Sequence, residues 1–157
     1  MTKLLLSLHV LAAIVAVGPV TVAASMFPPA VRRALPADGT GPAPRAAGTV
    51  ELLHRICRVY AGLGVLVPAF GLATALAMGV LGDAWLVASI TLTAVAAGVL
   101  LAFVLPRQEE LIGQVAERTP VDRQSTVQLA MFTGVFNLLW ATVTVLMIVR
   151  PGSSTGA

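Results

Sequence analysis

Four long runs of this chain carry no Asp, Glu, Lys or Arg: Leu4 to Phe27, Val59 to Leu81, Trp85 to Leu105 and Leu129 to Val149. Each meets the requirement for a spanning helix, roughly 18 or more consecutive residues with few or no charges. At about 1.5 Å of rise per residue, each can cross a hydrocarbon core of about 30 Å. Lipid offers no partners to exposed backbone groups, so each run has to be a helix that satisfies its own N–H and C=O groups. The expected fold class is all-α, a polytopic membrane protein whose four transmembrane helices form an antiparallel bundle.

Composition narrows that reading. Hydrophobic residues make up 57% of the 157 positions and charged residues 11%, a balance foreign to soluble domains. The charges are confined to short stretches between the apolar runs, so residues 1–157 are read as one membrane domain. Lys3 and the small residues Val22, Ala23 and Ala24 resemble the two ends of a secretory signal. The first run is longer than the roughly 7 to 15 apolar residues of a signal core, so it is expected to remain as a membrane helix. Cys57 is the only cysteine, which leaves one chain without an internal disulfide or a thiolate metal cluster. It reads as a small apolar filler near a membrane boundary.

Arginine sets the expected orientation. Arg32, Arg33, Arg45, Arg55 and Arg58 lie between the first two runs or at their edge, and Arg107, Arg118 and Arg123 lie between the last two. Only Lys3 and Arg150 fall on the other side. Positively charged loops are retained in the cytoplasm, so both termini and the Gly82-Asp83 turn are expected outside. The excess of Arg over Lys, with Ala, Val and Leu dominant, points to a GC-rich bacterial genome and so to the bacterial inner membrane. The net charge of +3 belongs to this topology, and no aromatic-basic interleaving supports a nucleic acid partner.

Residues 28–48 begin Pro28-Pro29 and continue through Pro36, Asp38-Gly39, Gly41-Pro42 and Pro44, a composition expected to form a mobile loop. A helical pattern resumes at Thr49, the expected N-cap, with Glu51 and Arg55 as an i,i+4 pair. Residues 108–118 form an amphipathic loop segment expected to lie on the membrane surface. Thr119-Pro120-Val121-Asp122 then reads as a helix start with Thr119 as its cap. Within the spans, Gly71/Ala75/Gly79, Ala94/Gly98/Ala102 and Ala130/Gly134 repeat at the four-residue spacing that lets helices pack closely. Gly18-Pro19 and Pro68 are expected to bend their helices.

Polar groups at membrane depth turn toward the bundle interior, which singles out His9 and Asn137. Asn137 shares a face with Ala130, Thr133, Ala141 and Thr144 and is expected to make an interhelical polar contact. His9 admits two readings. The plainer is a neutral imidazole bonded to a neighbouring helix; the other makes it the cofactor-binding residue of a haem or metal carrier, in which a symmetric dimer supplies two ligands. His54 belongs to the opposite membrane face, because His9 lies about 27 Å of helix rise from Phe27 at the inner end of its own run.

No intramembrane carboxylate supports an ion-coupled relay, and no hydrolase elbow, phosphate loop, paired-carboxylate site or zinc helix motif occurs. The expected protein therefore has no catalytic residue, no metal site and no cofactor. It is a non-enzymatic structural or accessory bundle, with a small-molecule, haem or metal carrier centred on His9 as the alternative. Its expected partners are the lipid bilayer and other membrane proteins or further copies of itself. Arg55 and Arg58, beside Tyr60, are placed to meet anionic lipid headgroups, with Tyr60 and Trp85 as interface anchors.

The opening Leu8-His9-Val10-Leu11-Ala12-Ala13, the basic approach to the second run and the ending Met147-Ile148-Val149-Arg150-Pro151-Gly152 together resemble one family. It is the bacterial family of predicted integral membrane proteins known as domain of unknown function 2269. The resemblance extends from Leu4 to Pro151 and implies a membrane bundle without a transferable catalytic residue. The same Leu8-to-Leu11 opening is similar to that of the copper-resistance membrane family, whose further histidines and larger helix number this sequence lacks.

The orientation has a direct test. A reporter fused after Ala157 that works only outside the cytoplasm is expected to be active, and activity of a cytoplasm-only reporter at the same position would invert the topology.

Overall fold

The computed structural model describes residues 2–34 and 44–152, with Pro44 by its backbone alone. Every long segment in it is a helix, as the absence of hydrogen-bond partners in lipid requires. Helix α1 (Thr2–Ala34) is the first rod. Helices α2 (Pro44–Leu63) and α3 (Leu66–Met78) follow end to end as the second. Helix α4 (Ala84–Val99), a π-helical turn (Leu100–Val104) and α5 (Leu105–Glu117) make a continuous third, and α6 (Arg123–Val149) is the fourth. All four rods are long and apolar enough to cross a membrane, so the chain is a multi-pass, all-α four-helix bundle.

Pro68 accounts for the break between α2 and α3. It has no N–H for the Gly64 carbonyl, which accepts from Val67 N at 3.1 Å instead, while Val65 N reaches Gly62 O at 3.3 Å. These tighter i→i+3 bonds interrupt the rod and repair part of its ladder. At the far end Gly79 takes a left-handed conformation, φ 70°, that closes α3 and starts the turn into α4. Gly79 is thus a cap, and of its expected stripe only Gly71 and Ala75 lie on the helix.

Several expectations for the connecting segments are corrected. Pro28 and Pro29 do not open a loop, because α1 runs through them to Ala34. Phe27, Pro28, Val31 and Ala34 are buried there, and that packing outweighs the local cost of proline. The expected mobile segment 28–48 is therefore helical at both ends, and residues 35–43 lie outside the described residues. Thr49 is not a cap but an interior residue of α2, its hydroxyl bonded to Arg45 O at 2.9 Å. Glu51 and Arg55 form no ion pair. Residues 108–117 are not a loop but helical, the last turns of the third rod, with Gln108, Leu111 and Val115 buried. Asp122, not Thr119, caps α6 by accepting from Gln124 N at 3.1 Å.

The rods pack as two hairpins, α1 with α2 and α3, and α4 with α6, joined where α1 meets α6 and where α5 meets α2. The buried stripe of the third rod steps by four residues through Ala96, Leu100, Val104 and Gln108. A strict α-helix would rotate such a line away from its partners, and the wider π turn keeps it facing inward. Small residues do line the central interface, but on α1: Ala16, Ala23, Ala24, Ala30 and Ala34 are buried. The expected Ala94/Gly98/Ala102 stripe instead faces outward, as does Ala130.

Most of the core gathers at the arginine-rich end, where Phe27 and Val31 meet Val50, Leu53, Leu111 and Val115. A smaller cluster of Ala75, Trp85 and Leu86 closes the opposite end. Phe27→Ala is expected to destabilise the bundle by about 3 kcal/mol through the cavity it leaves. Leu138→Ala, at a position 69% exposed, should change stability little; equal effects of the two in a denaturant titration in detergent micelles would contradict this packing.

Candidate functional site

His9 is seated where the second rod bends. Its Nδ1 lies 2.9 Å from the Val67 carbonyl, one residue before Pro68, so Nδ1–H is the donor. The ring covers Gly71, where an added Cβ would stand 2.9 Å from Cε1. Gly71 is therefore the notch that admits the imidazole, and the bond ties α1 to the helix that proline bent. A donating Nδ1 leaves Nε2 with the lone pair, the tautomer that histidine ligands also use. Among the described residues no group of three or more His, Cys, Asp or Glu side chains converges to hold a metal ion.

A second polar group joins α2 to α5 at the arginine-rich end. His54 Nδ1 lies 3.0 Å from Gln108 Oε1, and Gln108 Nε2 donates to Cys57 Sγ at 3.6 Å. Glu109 Oε1 stands 3.6 Å from the other ring nitrogen of His54. Gln108 and Cys57 are fully buried and His54 nearly so, so these contacts form in a low-dielectric interior where polar groups need partners. The cluster escaped the sequence reading, although His54 and Cys57 stand one helical turn apart and so share a face.

On the other side of α5 an open cavity of about 460 Å³ lies between the third rod and α6. One wall is apolar, made by Phe103, Met131 and Phe132, and the two phenyl rings stack with centroids 4.8 Å apart. Its rim is polar: Arg107 Nη1 donates to Glu110 Oε2 at 2.9 Å, and Nη2 donates to Gln128 Oε1 at 3.2 Å. The π turn carries Phe103 of this wall, and such turns are frequent at functional sites. The sequence reading passed over Arg107 and Gln128 because α5 and α6 bring them together across a separation of 21 residues.

The remaining candidates lie apart from one another. Asn137 Nδ2 donates to Ser25 Oγ at 3.2 Å, linking α6 to α1. Arg55 and Arg58 are exposed on the outer side of α2. Trp85 is buried, its Nε1 donates to Asp83 Oδ2 at 3.0 Å, and the Arg150 guanidinium lies 5.4 Å from its ring centre. These contacts hold the end of α6 beside the start of α4.

Fold and polar contacts together define a polytopic all-α membrane bundle braced by buried interhelical hydrogen bonds. Neither a family model nor a curated protein nor a solved structure matches the chain.

The seat of His9 can be checked by a double-mutant cycle. His9→Ala and Gly71→Val are each expected to cost about 1 to 3 kcal/mol. Combined, they should cost less than their sum by at least about 0.5 kcal/mol, because removing the ring vacates the space the valine needs. Strict additivity would mean that the two residues do not meet.

Proposed function

We propose that this protein is a non-enzymatic bundle of the bacterial inner membrane that supports or assembles with other membrane proteins, with both termini outside. The carrying observation is the use to which its buried polar side chains are put. His9 binds the Val67 carbonyl, His54 binds Gln108, and Asn137 binds Ser25, so each joins one helix to another. A reaction centre needs such groups to converge on a shared space where a reacting atom can sit, and these three are spread along the bundle. The outward Ala94/Gly98/Ala102 stripe gives a further helix a surface for close approach. Arg55 and Arg58 would lie against anionic headgroups on the cytoplasmic side. The place of the chain in the domain of unknown function 2269 family is proposed on its Leu8-to-Ala13 opening and Met147-to-Gly152 ending alone.

A carrier built on His9 is the second reading, favoured by its Nδ1–H bond, which leaves Nε2 as the free acceptor. Gentle purification from the native membrane, followed by native mass spectrometry and an absorbance spectrum on the same sample, separates the two. A colourless complex with defined protein partners is expected. A haem absorbance band that His9→Ala abolishes would replace the accessory reading with the carrier.

A further inference from the structure

The cavity between the third rod and α6 has a polar rim and an apolar wall in a fixed vertical order. Arg107 is the first charged residue after the charge-free third span, and Gln128 is the last residue before the fourth. The rim therefore stands at the level where headgroups meet acyl chains. Phe103 lies one turn deeper than Arg107 on the same rod, and Met131 and Phe132 lie about one turn deeper than Gln128 on α6. At about 460 Å³ the cavity is within the range of small-molecule sites, about 300 to 1,000 Å³.

The charges on the rim specify more than a generic anion site. Arg107 does not stand alone there, because Glu110 is held against it at 2.9 Å. A purely anionic headgroup would gain the guanidinium and meet the carboxylate as a like charge. A zwitterion carrying a phosphate and a primary ammonium on a short linker answers both groups: phosphate oxygens accept from Arg107, and the ammonium donates to Glu110. The existing pair is weak enough to open, since the two side chains are 36% and 49% exposed. Gln128 offers an amide to the remaining phosphate oxygen.

We propose that this cavity is a binding site for a zwitterionic phospholipid of the phosphoethanolamine type, held by Arg107 and Glu110 at the headgroup and by Phe103, Met131 and Phe132 along the first part of the acyl chains. The proposal goes beyond the accessory role and is independent of which protein partner the bundle has. It depends on the π turn, which brings the rim of α5 round toward α6.

The test uses the full chain in nanodiscs of equal phosphatidylethanolamine and phosphatidylglycerol, released in the gas phase for native mass spectrometry. Wild type is expected to retain phosphatidylethanolamine over phosphatidylglycerol by about tenfold. Glu110→Gln removes the ammonium partner and the like charge together, and should reverse the preference. Arg107→Gln should lower retention of both lipids by about tenfold. Met131→Trp fills the apolar wall without touching a charge and should abolish specific retention of either lipid. Equal retention of the two lipids by wild type, an unchanged preference in Glu110→Gln, or unchanged occupancy in Met131→Trp would each overturn the site and leave only annular lipid. Should Arg107→Gln fail to fold in a thermal melt, the reversal in Glu110→Gln decides alone.

Discussion

Hydrocarbon supplies no hydrogen-bond partner, and the rest of this structure follows from how its polar groups are satisfied without one. Helix formation settles most of the backbone, and at Pro68 the second rod is interrupted. There the ladder is repaired locally by the Val67-to-Gly64 bond, and the bend is then held from outside by His9, which donates to Val67 and fills the notch at Gly71. Proline, glycine and histidine thus act as one device: the proline bends the rod, the glycine opens the space, and the histidine locks α1 into it. The small residues of α1 let this helix lie at the centre, touching all three other rods.

Two physical regimes divide the bundle along its length. Between the charge-free spans, lipid is as apolar as the side chains, so burial gives little drive and helices adhere by close packing and scattered polar bonds. Many large apolar residues there, such as Leu11, Leu138 and Ile148, face outward. Toward the arginine-rich end the rods run on past the spans, and polar residues alternate with apolar ones in α2 and α5. The larger core extends from the spans into that end, around Phe27, Val31, Leu53 and Leu111.

Helix α5 connects this division to function. Consecutive residues on a helix point about 100° apart. Gln108 therefore turns inward to His54 and Cys57 while Arg107 turns toward α6 and the open cavity. One short segment braces the second rod with one face and offers an amphipathic site with another. The π turn before it sets the rotation that makes both possible.

The sequence alone determined the helical class, the four spans and the bend at Pro68, because the absence of charge over a membrane thickness and the missing N–H of proline are properties of the local chain. It also marked His9 and Asn137, since a polar side chain in an apolar run is conspicuous by itself. The ends of the rods were not legible: Pro28-Pro29 and Thr119 carry strong local signals, and α1 overrides the first through packing contacts made by Phe27, Val31 and Ala34 with distant residues. Nor was the outward direction of Ala94, Gly98 and Ala102, because a stripe of small residues records a spacing and not a partner. Only the tertiary structure decided that Gly71 receives His9, that His54 meets Gln108 and that Arg107 meets Gln128, for each pairing depends on how separate helices are rotated and staggered against one another, which no local stretch of sequence encodes.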